Sequence, residues 1–196
     1  NVDAGSDTVT DLATGDVLKV LAGATATVND VAAFVATALT SNAGTATLNA
    51  ASAGGAIDMR LASGTAGFAL VGGAGVDTLI GSKLNDTLTG GAGDTLTGFG
   101  GIDTYNITGG TVSVTDLGLG GAGVLKVSAG ATVNATVTAA WTATSATQNL
   151  GTANIETKGL AVNLALFQTD VDNEINTTVL DDAGNPTQTG SKRVKG

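Results

Sequence analysis

Large apolar residues are sparse along this chain and recur at a fixed interval. Leu61, Leu70, Leu79, Leu88, Leu96, Tyr105 and Val114 fall at steps of nine, broken by a single one-residue deletion between Leu88 and Leu96. Between them glycine-rich stretches alternate with short β-favouring runs such as Asp77-Thr78-Leu79-Ile80 and Asp86-Thr87-Leu88-Thr89. That alternation predicts tight turns joined by short strands. With the nine-step position pointing inward on every half-coil, two blocks complete one coil of about 18 residues, and the core becomes a ladder of single large side chains. The expected fold is mainly β, a parallel β-roll or β-solenoid. One stretch follows another period. Val31, Phe34, Val35, Ala38 and Leu39 lie at i, i+3, i+4, i+7 and i+8 behind Asn29 and Asp30, which predicts a short helical insertion capped by one of those two residues.

The chain also repeats on a longer scale. Residues 1–12 parallel residues 106–117, an offset of 105. Val17-Leu18-Lys19-Val20 recurs as Val124-Leu125-Lys126-Val127 after a two-residue insertion, and Ala32-Ala33-Phe34 as Ala139-Ala140-Trp141. The parallel returns to its first offset where Ala56-Ile57-Asp58-Met59-Arg60-Leu61 matches Ala161-Val162-Asn163-Leu164-Ala165-Leu166, and stops there. Four segments follow: an Ala/Thr-rich half-unit at 1–61, a glycine-rich β-roll at 62–105, a second copy of the first segment at 106–166, and a divergent tail at 167–196. The second copy of the helical stretch is weaker, and Phe34 and Trp141 are expected to fill the core there, in preference to a sugar-stacking role for Trp141. Val9, Leu12, Val17, Leu18 and Val20, with their copies, read as further short strands. Asp11 recurs as Asp116, with turn capping favoured over ion binding. Tandem duplication makes long extended proteins, because each unit need only match its neighbours, and a start at Asn1-Val2-Asp3 is expected of a piece cut from a longer protein.

Composition narrows the chemistry. The 196 residues hold no histidine and no cysteine, which excludes imidazole-based triads, imidazole or thiolate metal ligands, thiol nucleophiles and disulfides. No catalytic activity is expected of this chain. The net charge is −9, and of the 17 acidic residues only Glu156 and Glu174 are glutamates. An acidic chain is a poor partner for nucleic acid, and no apolar run is long enough to span a membrane as a helix. Aspartate with backbone oxygen suits a hard cation instead.

The glycine blocks give that idea a geometry. Residues 72–80 read Gly-Gly-Ala-Gly-Val-Asp-Thr-Leu-Ile, and residues 81–89, 90–97 and 98–106 follow as looser versions. Alternate blocks lie on one edge of the coil, so Asp77 is expected to stack with Asp94, and Asp86 with Asp103. Carboxylates about 4.8 Å apart repel one another unless a cation lies between them. Calcium, which takes six to eight oxygens at about 2.3–2.6 Å, suits that spacing better than magnesium, and its binding would be one event with folding.

The first block fits the G-G-x-G-x-D-x-U-x nonapeptide without exception, and residues 72–106 resemble the calcium-binding repeats of the repeats-in-toxin (RTX) family, whose members form a parallel β-roll. The resemblance implies calcium ligands at the aspartate and at the glycine-turn carbonyls: Asp77 with Gly72, Gly73 and Gly75; Asp94 with Gly90, Gly91 and Gly93; Asp103 with Gly98, Gly100 and Gly101. Asp86 keeps its aspartate, but Ser82 and Leu84 stand where that motif has glycines. The 105-residue unit resembles long repetitive bacterial surface and secreted proteins. The expected role is therefore a calcium-stabilised structural segment of an exported bacterial protein at the cell surface or outside it: a surface-layer element, adhesin stalk or matrix spacer, exported by a type I channel. Its partners would be calcium ions and neighbouring repeats of the same chain, with self-assembly a further outcome. Two other roles compete, namely the calcium-binding region of a secreted RTX hydrolase or toxin whose catalytic domain lies elsewhere, and an ice- or polysaccharide-binding face suggested by pairs such as Thr87/Thr89.

Overall fold

The computed structural model describes residues 1–158 and the two strands at 175–180 and 186–192. The chain begins with β1 (Ser6–Val9), β2 (Lys19–Val20), β3 (Thr25–Val31), β4 (Ala33–Val35), β5 (Ser41–Asn42), β6 (Thr45–Ala50), β7 (Ala56–Asp58), β8 (Ser63–Gly64) and β9 (Ala69–Val71). The glycine blocks contribute β10 (Thr78–Ile80), β11 (Thr87–Gly90), β12 (Thr95–Thr97) and β13 (Thr104–Ile107). Then come β14 (Thr111–Leu117), β15 (Val124–Val127), β16 (Thr132–Val137), β17 (Gln148–Asn149), β18 (Thr152–Lys158), β19 (Ile175–Leu180) and β20 (Pro186–Lys192). They stack into an eight-stranded sheet, β1-β3-β6-β9-β11-β13-β15-β17, a nine-stranded sheet, β4-β7-β10-β12-β14-β16-β18-β19-β20, and a three-stranded sheet, β2-β5-β8. From β1 to β18 successive strands alternate between sheets and pair in parallel with the strand one circuit away, which makes the molecule a parallel β-solenoid. β20 alone runs antiparallel to its neighbour, β19.

Coil length varies along the chain. In the blocks a coil is short: Thr78 pairs with Thr95 and Thr87 with Thr104, each 17 residues on, and Ala69 with Thr87, 18 residues on. Where the third sheet is present the coil is longer, Lys19 pairing with Ser41 and Ser41 with Ser63, both 22 residues on. The blocks therefore form a two-sided roll that widens toward the first half-unit.

The core is two columns of side chains. Val28, Leu48, Leu70, Leu88, Tyr105 and Leu125 pair in register on the eight-stranded sheet. Phe34, Ile57, Leu79, Leu96, Val114, Ala135 and Ile155 do the same on the nine-stranded sheet. All of them are buried. The nine-step ladder is thus shared alternately between the two sheets. Leu61 does not belong to it: it is 63% exposed and lies in a turn. The coil between β7 and β10 is 22 residues long, so Ile57 takes the place beside Leu79 that an 18-residue count gives to Leu61.

The expected helical insertion is absent; no helix occurs among the described residues. Val31 closes β3, and β4 lies parallel to β7, pairing Phe34 with Ile57. Burial alternates with period two, Phe34 and Ala36 inward and Val35 outward, while Leu39 is 62% exposed. Asp30, expected as a helix cap, instead has φ 60° at an irregularity in β3, a left-handed position that aspartate tolerates. The pairing with β7 outweighs the helical spacing, as tertiary context commonly outweighs propensity. Trp141, the counterpart of Phe34, is buried and its Nε1–H donates to Gly123 O at 2.8 Å. It fills the core, as expected.

The duplication is visible in detail. Gly5 and Gly110 both have positive φ, 69° and 58°, and each carbonyl accepts from the next coil at 2.7 Å, from Thr25 and Thr132 respectively. The turn Thr37–Thr40, with Thr37 N–H donating to Thr40 Oγ1 at 3.3 Å, recurs as Thr144 to Thr147 at 3.3 Å. Yet β1 lies in the eight-stranded sheet and its copy β14 in the nine-stranded one, so one unit spans an odd number of half-coils. In the tail, β19 continues the nine-stranded sheet beside β18. The last match of the repeat, 161–166, and the acidic run 170–174 lie outside the described residues.

Candidate functional site

The aspartates of the glycine blocks stand where a turn becomes a strand, and all four point inward. Asp77, Asp86, Asp94 and Asp103 are buried, although aspartate is ordinarily a surface residue. What makes this tolerable is a shared hydrogen-bond pattern. One oxygen accepts an amide from the preceding coil, and in three corners the other accepts the amide of a turn residue in the aspartate's own block. Asp77 Oδ1 accepts from Gly55 N–H at 2.6 Å and Oδ2 from Gly73 N–H at 2.8 Å. Asp94 Oδ1 accepts from Asp77 N–H at 2.8 Å and Oδ2 from Gly91 N–H at 2.7 Å. Asp86 Oδ1 accepts from Phe68 N–H at 2.6 Å, and Oδ2 from both the amide and the hydroxyl of Ser82. Asp103 Oδ1 accepts from Asp86 N–H at 2.9 Å. The structure thus brings together Asp77 with Asp94 in one column and Asp86 with Asp103 in the other.

The glycines serve this arrangement chiefly by being small. A methyl group built at Gly72 would lie 2.5 Å from Asp94 Oδ2 and 3.0 Å from Asp77 Oδ2, so two carboxylate oxygens converge over that backbone. At Gly81 the same construction meets Gly98 O at 2.5 Å and Asp86 Oδ2 at 2.7 Å. Of the glycines expected in the site, Gly93 and Gly101 have positive φ, 90° each. Gly73 and Gly91 offer amides to the carboxylates, and the Gly90 carbonyl accepts from Thr108. Gly75 packs against the backbone of residues 53–54, and Gly100 N–H donates to Ser82 O at 3.1 Å.

Burial dominates the electrostatics. It raises the carboxyls of Asp77 and Asp86 above the usual aspartate range against the pull of their amide bonds. Asp103 is pushed up to about 8, first by burial and then by the neighbouring charges of Asp86 and Asp116. The Tyr105 phenol is raised by burial and by the carboxylates of Asp116 and Asp103.

Three further participants join the site, Asp116 by the turn capping expected of it and all three through partners that the sequence does not show. Ser82 stands at a glycine position of the motif, yet its hydroxyl donates to Asp86 Oδ2 at 2.9 Å, so the departure adds a donor. Asp116 caps the turn of the coil before it: Oδ1 accepts from Gly98 N–H and from Tyr105 OH, both at 2.9 Å, and Oδ2 from Phe99 N–H at 2.7 Å. Tyr105 thereby has a polar partner inside the core. Its place in the apolar column is readable from the sequence, whereas its partner is not.

A shallow cleft of about 350 Å³ is lined by Val35, Ala36, Asp58, Arg60, Leu61, Lys83 and Phe99. Arg60 there is bonded to Asp58 at 2.6 Å. Among the described residues no group of three or more acidic side chains is arranged to hold a metal ion, and no helix is long and apolar enough to cross a membrane. No protein-family model matches this chain, and no curated protein or solved structure matches it.

Proposed function

We propose that this chain is a calcium-stabilised structural segment of a large exported bacterial surface protein, a spacer or stalk and not a catalyst, that folds on meeting calcium outside the cell. The observation that carries the reading is the pairing of buried carboxylates in two columns, Asp77 with Asp94 and Asp86 with Asp103. A carboxylate has about four lone-pair sites, and the amide bonds of Asp77 and of Asp94 occupy two on each. The oxygens over Gly72 can therefore accept a hard cation without surrendering their backbone partners, and turn carbonyls and water would complete the oxygen shell that calcium needs. The donor chemistry fits calcium, and the burial of like charges supplies the reason to bind it.

Low calcium would leave the acidic chain unfolded and suited to export; high calcium would offset the carboxylate repulsion and fold it. The match of residues 72–80 to the RTX nonapeptide supports the exported, surface-associated setting. Far-ultraviolet circular dichroism and hydrodynamic radius against calcium concentration test the proposal. β-structure and compaction should appear together, with a midpoint near the roughly 10⁻⁴–10⁻³ M of extracellular calcium modules. A chain equally folded and compact in strong chelator would refute it.

A further inference from the structure

Two of the glycine blocks depart from the motif at the same corner of the solenoid. Ser82-Lys83-Leu84 stands where the first block has Gly73-Ala74-Gly75, and Phe99 stands where the third has Gly91. The two turns lie on successive coils: Gly81 N–H donates to Thr97 O at 2.8 Å and Gly100 N–H to Ser82 O at 3.1 Å. The turn at 59–62 lies one coil further, with Met59 N–H donating to Ile80 O at 2.9 Å. Arg60, Leu61, Lys83 and Phe99 thereby meet around the shallow cleft described above, together with Val35. These three turns have further coils on both sides, through Ser63 N–H to Thr40 O and through the Gly98 amide to Asp116, so the cleft belongs to the interior of the stack.

Three properties of the cleft set it apart from the rest of the surface. Phe99 is held at φ 74°, a conformation that a bulky residue rarely adopts, and its amide is fixed on Asp116 Oδ2 at 2.7 Å. Strain of this kind persists where the surroundings impose it and gathers at binding sites. Leu61 and Val35 are 63% and 46% exposed, and large apolar side chains grouped on a surface mark an interaction site. Two of the eight basic residues of this acidic chain also meet here. Asp58 engages Nε and Nη2 of Arg60 at 2.6–3.1 Å. Among the described residues that leaves Arg60 Nη1 without a partner, and the exposed Lys83 has no ion pair. Asp58 thus cancels one of the two cations, and the cleft keeps one positive charge. Asp86 and Asp116, on the neighbouring coils, turn inward to backbone amides and to the Ser82 and Tyr105 hydroxyls.

We propose that this cleft binds a small monocarboxylate with an apolar body. The carboxylate accepts charge-assisted hydrogen bonds from Lys83 Nζ and Arg60 Nη1, and the apolar body covers Leu61, Val35 and Phe99. One uncancelled positive charge selects a monoanion and rejects cations. Apart from Asp58, Arg60 and Lys83 the lining is valine, alanine, leucine and phenylalanine. The hydroxyls of a sugar acid would be covered there without partners, which is costly. A volume of about 350 Å³ lies at the lower end of the range for small-molecule sites.

The test titrates phenylbutyrate into the full chain at saturating calcium and follows backbone amide chemical shifts. Saturable changes are expected at Leu61, Lys83 and Phe99. The neutral phenylbutyramide, which lacks the charge, and glucuronate, which lacks the apolar body, should each bind about tenfold or more weakly. Lys83→Gln should weaken phenylbutyrate about tenfold and, at an exposed position, leave the melting temperature unchanged. Leu61→Ser should weaken it about threefold or more through lost apolar cover. Asp58→Asn should tighten binding, because it releases Arg60 from a competing carboxylate; a patch that only adsorbs apolar molecules would not respond. Absence of saturable changes at these amides overturns the proposal, as does phenylbutyramide binding as tightly as the acid or Lys83→Gln binding as tightly as the parent. Glucuronate binding as tightly as phenylbutyrate, or Asp58→Asn failing to tighten binding, overturns it equally.

Discussion

At the scale of single residues, the buried aspartates are bound first to the backbone. Asp77 secures the amides of Gly55 and Gly73, so its removal leaves two donors inside the roll without a partner. Each unsatisfied buried group costs about 1–3 kcal/mol. Asp58 faces outward on the nine-stranded sheet and pairs with the well-exposed Arg60, a contact of the surface kind, worth about 0–1 kcal/mol. Chemical denaturation of Asp77→Ala should therefore show a loss of at least about 2 kcal/mol, and Asp58→Ala a loss below about 1 kcal/mol. Equal losses would mean that the corner bonds contribute nothing. Because the Asp77 effect has two sources, repeating the pair at two calcium concentrations separates them: a larger gap at saturating than at limiting calcium assigns part of it to the ion.

At the scale of strands and coils, the glycine blocks were legible in the sequence because one pattern repeats there without interruption. A turn, an aspartate and one large apolar residue recur at steps of nine, and the 17- and 18-residue coils follow from them. Legibility failed where the coil length changed. Leu61 keeps the phase yet faces solvent, because the third sheet lengthens the preceding coils, and a change of coil length is not written in any one residue. Residues 31–39 misled in another way: apolar residues at i, i+3 and i+4 fit a helix face and also a strand, a bend and a second strand, and pairing with the distant β7 decides between them. The aspartates were identifiable by type, but their inward orientation toward amides was not, since an Asp at a turn serves equally well facing solvent. Two substitutions discriminate the observed columns from a simple nine-step ladder. Leu88→Ala, fully buried between Leu70 and Tyr105, should cost about 2.7–5 kcal/mol. Leu61→Ala should change stability by no more than about 0.5 kcal/mol in the same urea titration.

At the scale of the molecule, the columns tie folding to protons as well as to cations. Asp77, Asp86 and Asp103 have raised carboxyls in the fold, Asp103 up to about 8, while in the unfolded chain aspartate titrates near about 3.9. Over the interval between those values the folded state binds more protons than the unfolded state, so unfolding releases protons and stability falls as pH rises. The proton contribution is complete below about pH 4 and, for Asp103, is lost as pH rises through about 8. Protons and calcium then neutralise the same carboxylates and compete for them. At limiting calcium the melting temperature should be higher at pH 5 than at pH 8.5, and saturating calcium should raise it more at pH 8.5 than at pH 5. General relief of repulsion on an acidic chain also favours low pH, and Asp103→Asn separates that effect from the specific one. The variant keeps nearly all of the negative charge but removes the carboxyl pushed up to about 8, so its melting temperature at limiting calcium should vary much less between pH 5 and pH 8.5. A variant as pH-dependent as the parent would place the sensitivity in overall charge and not in the corners.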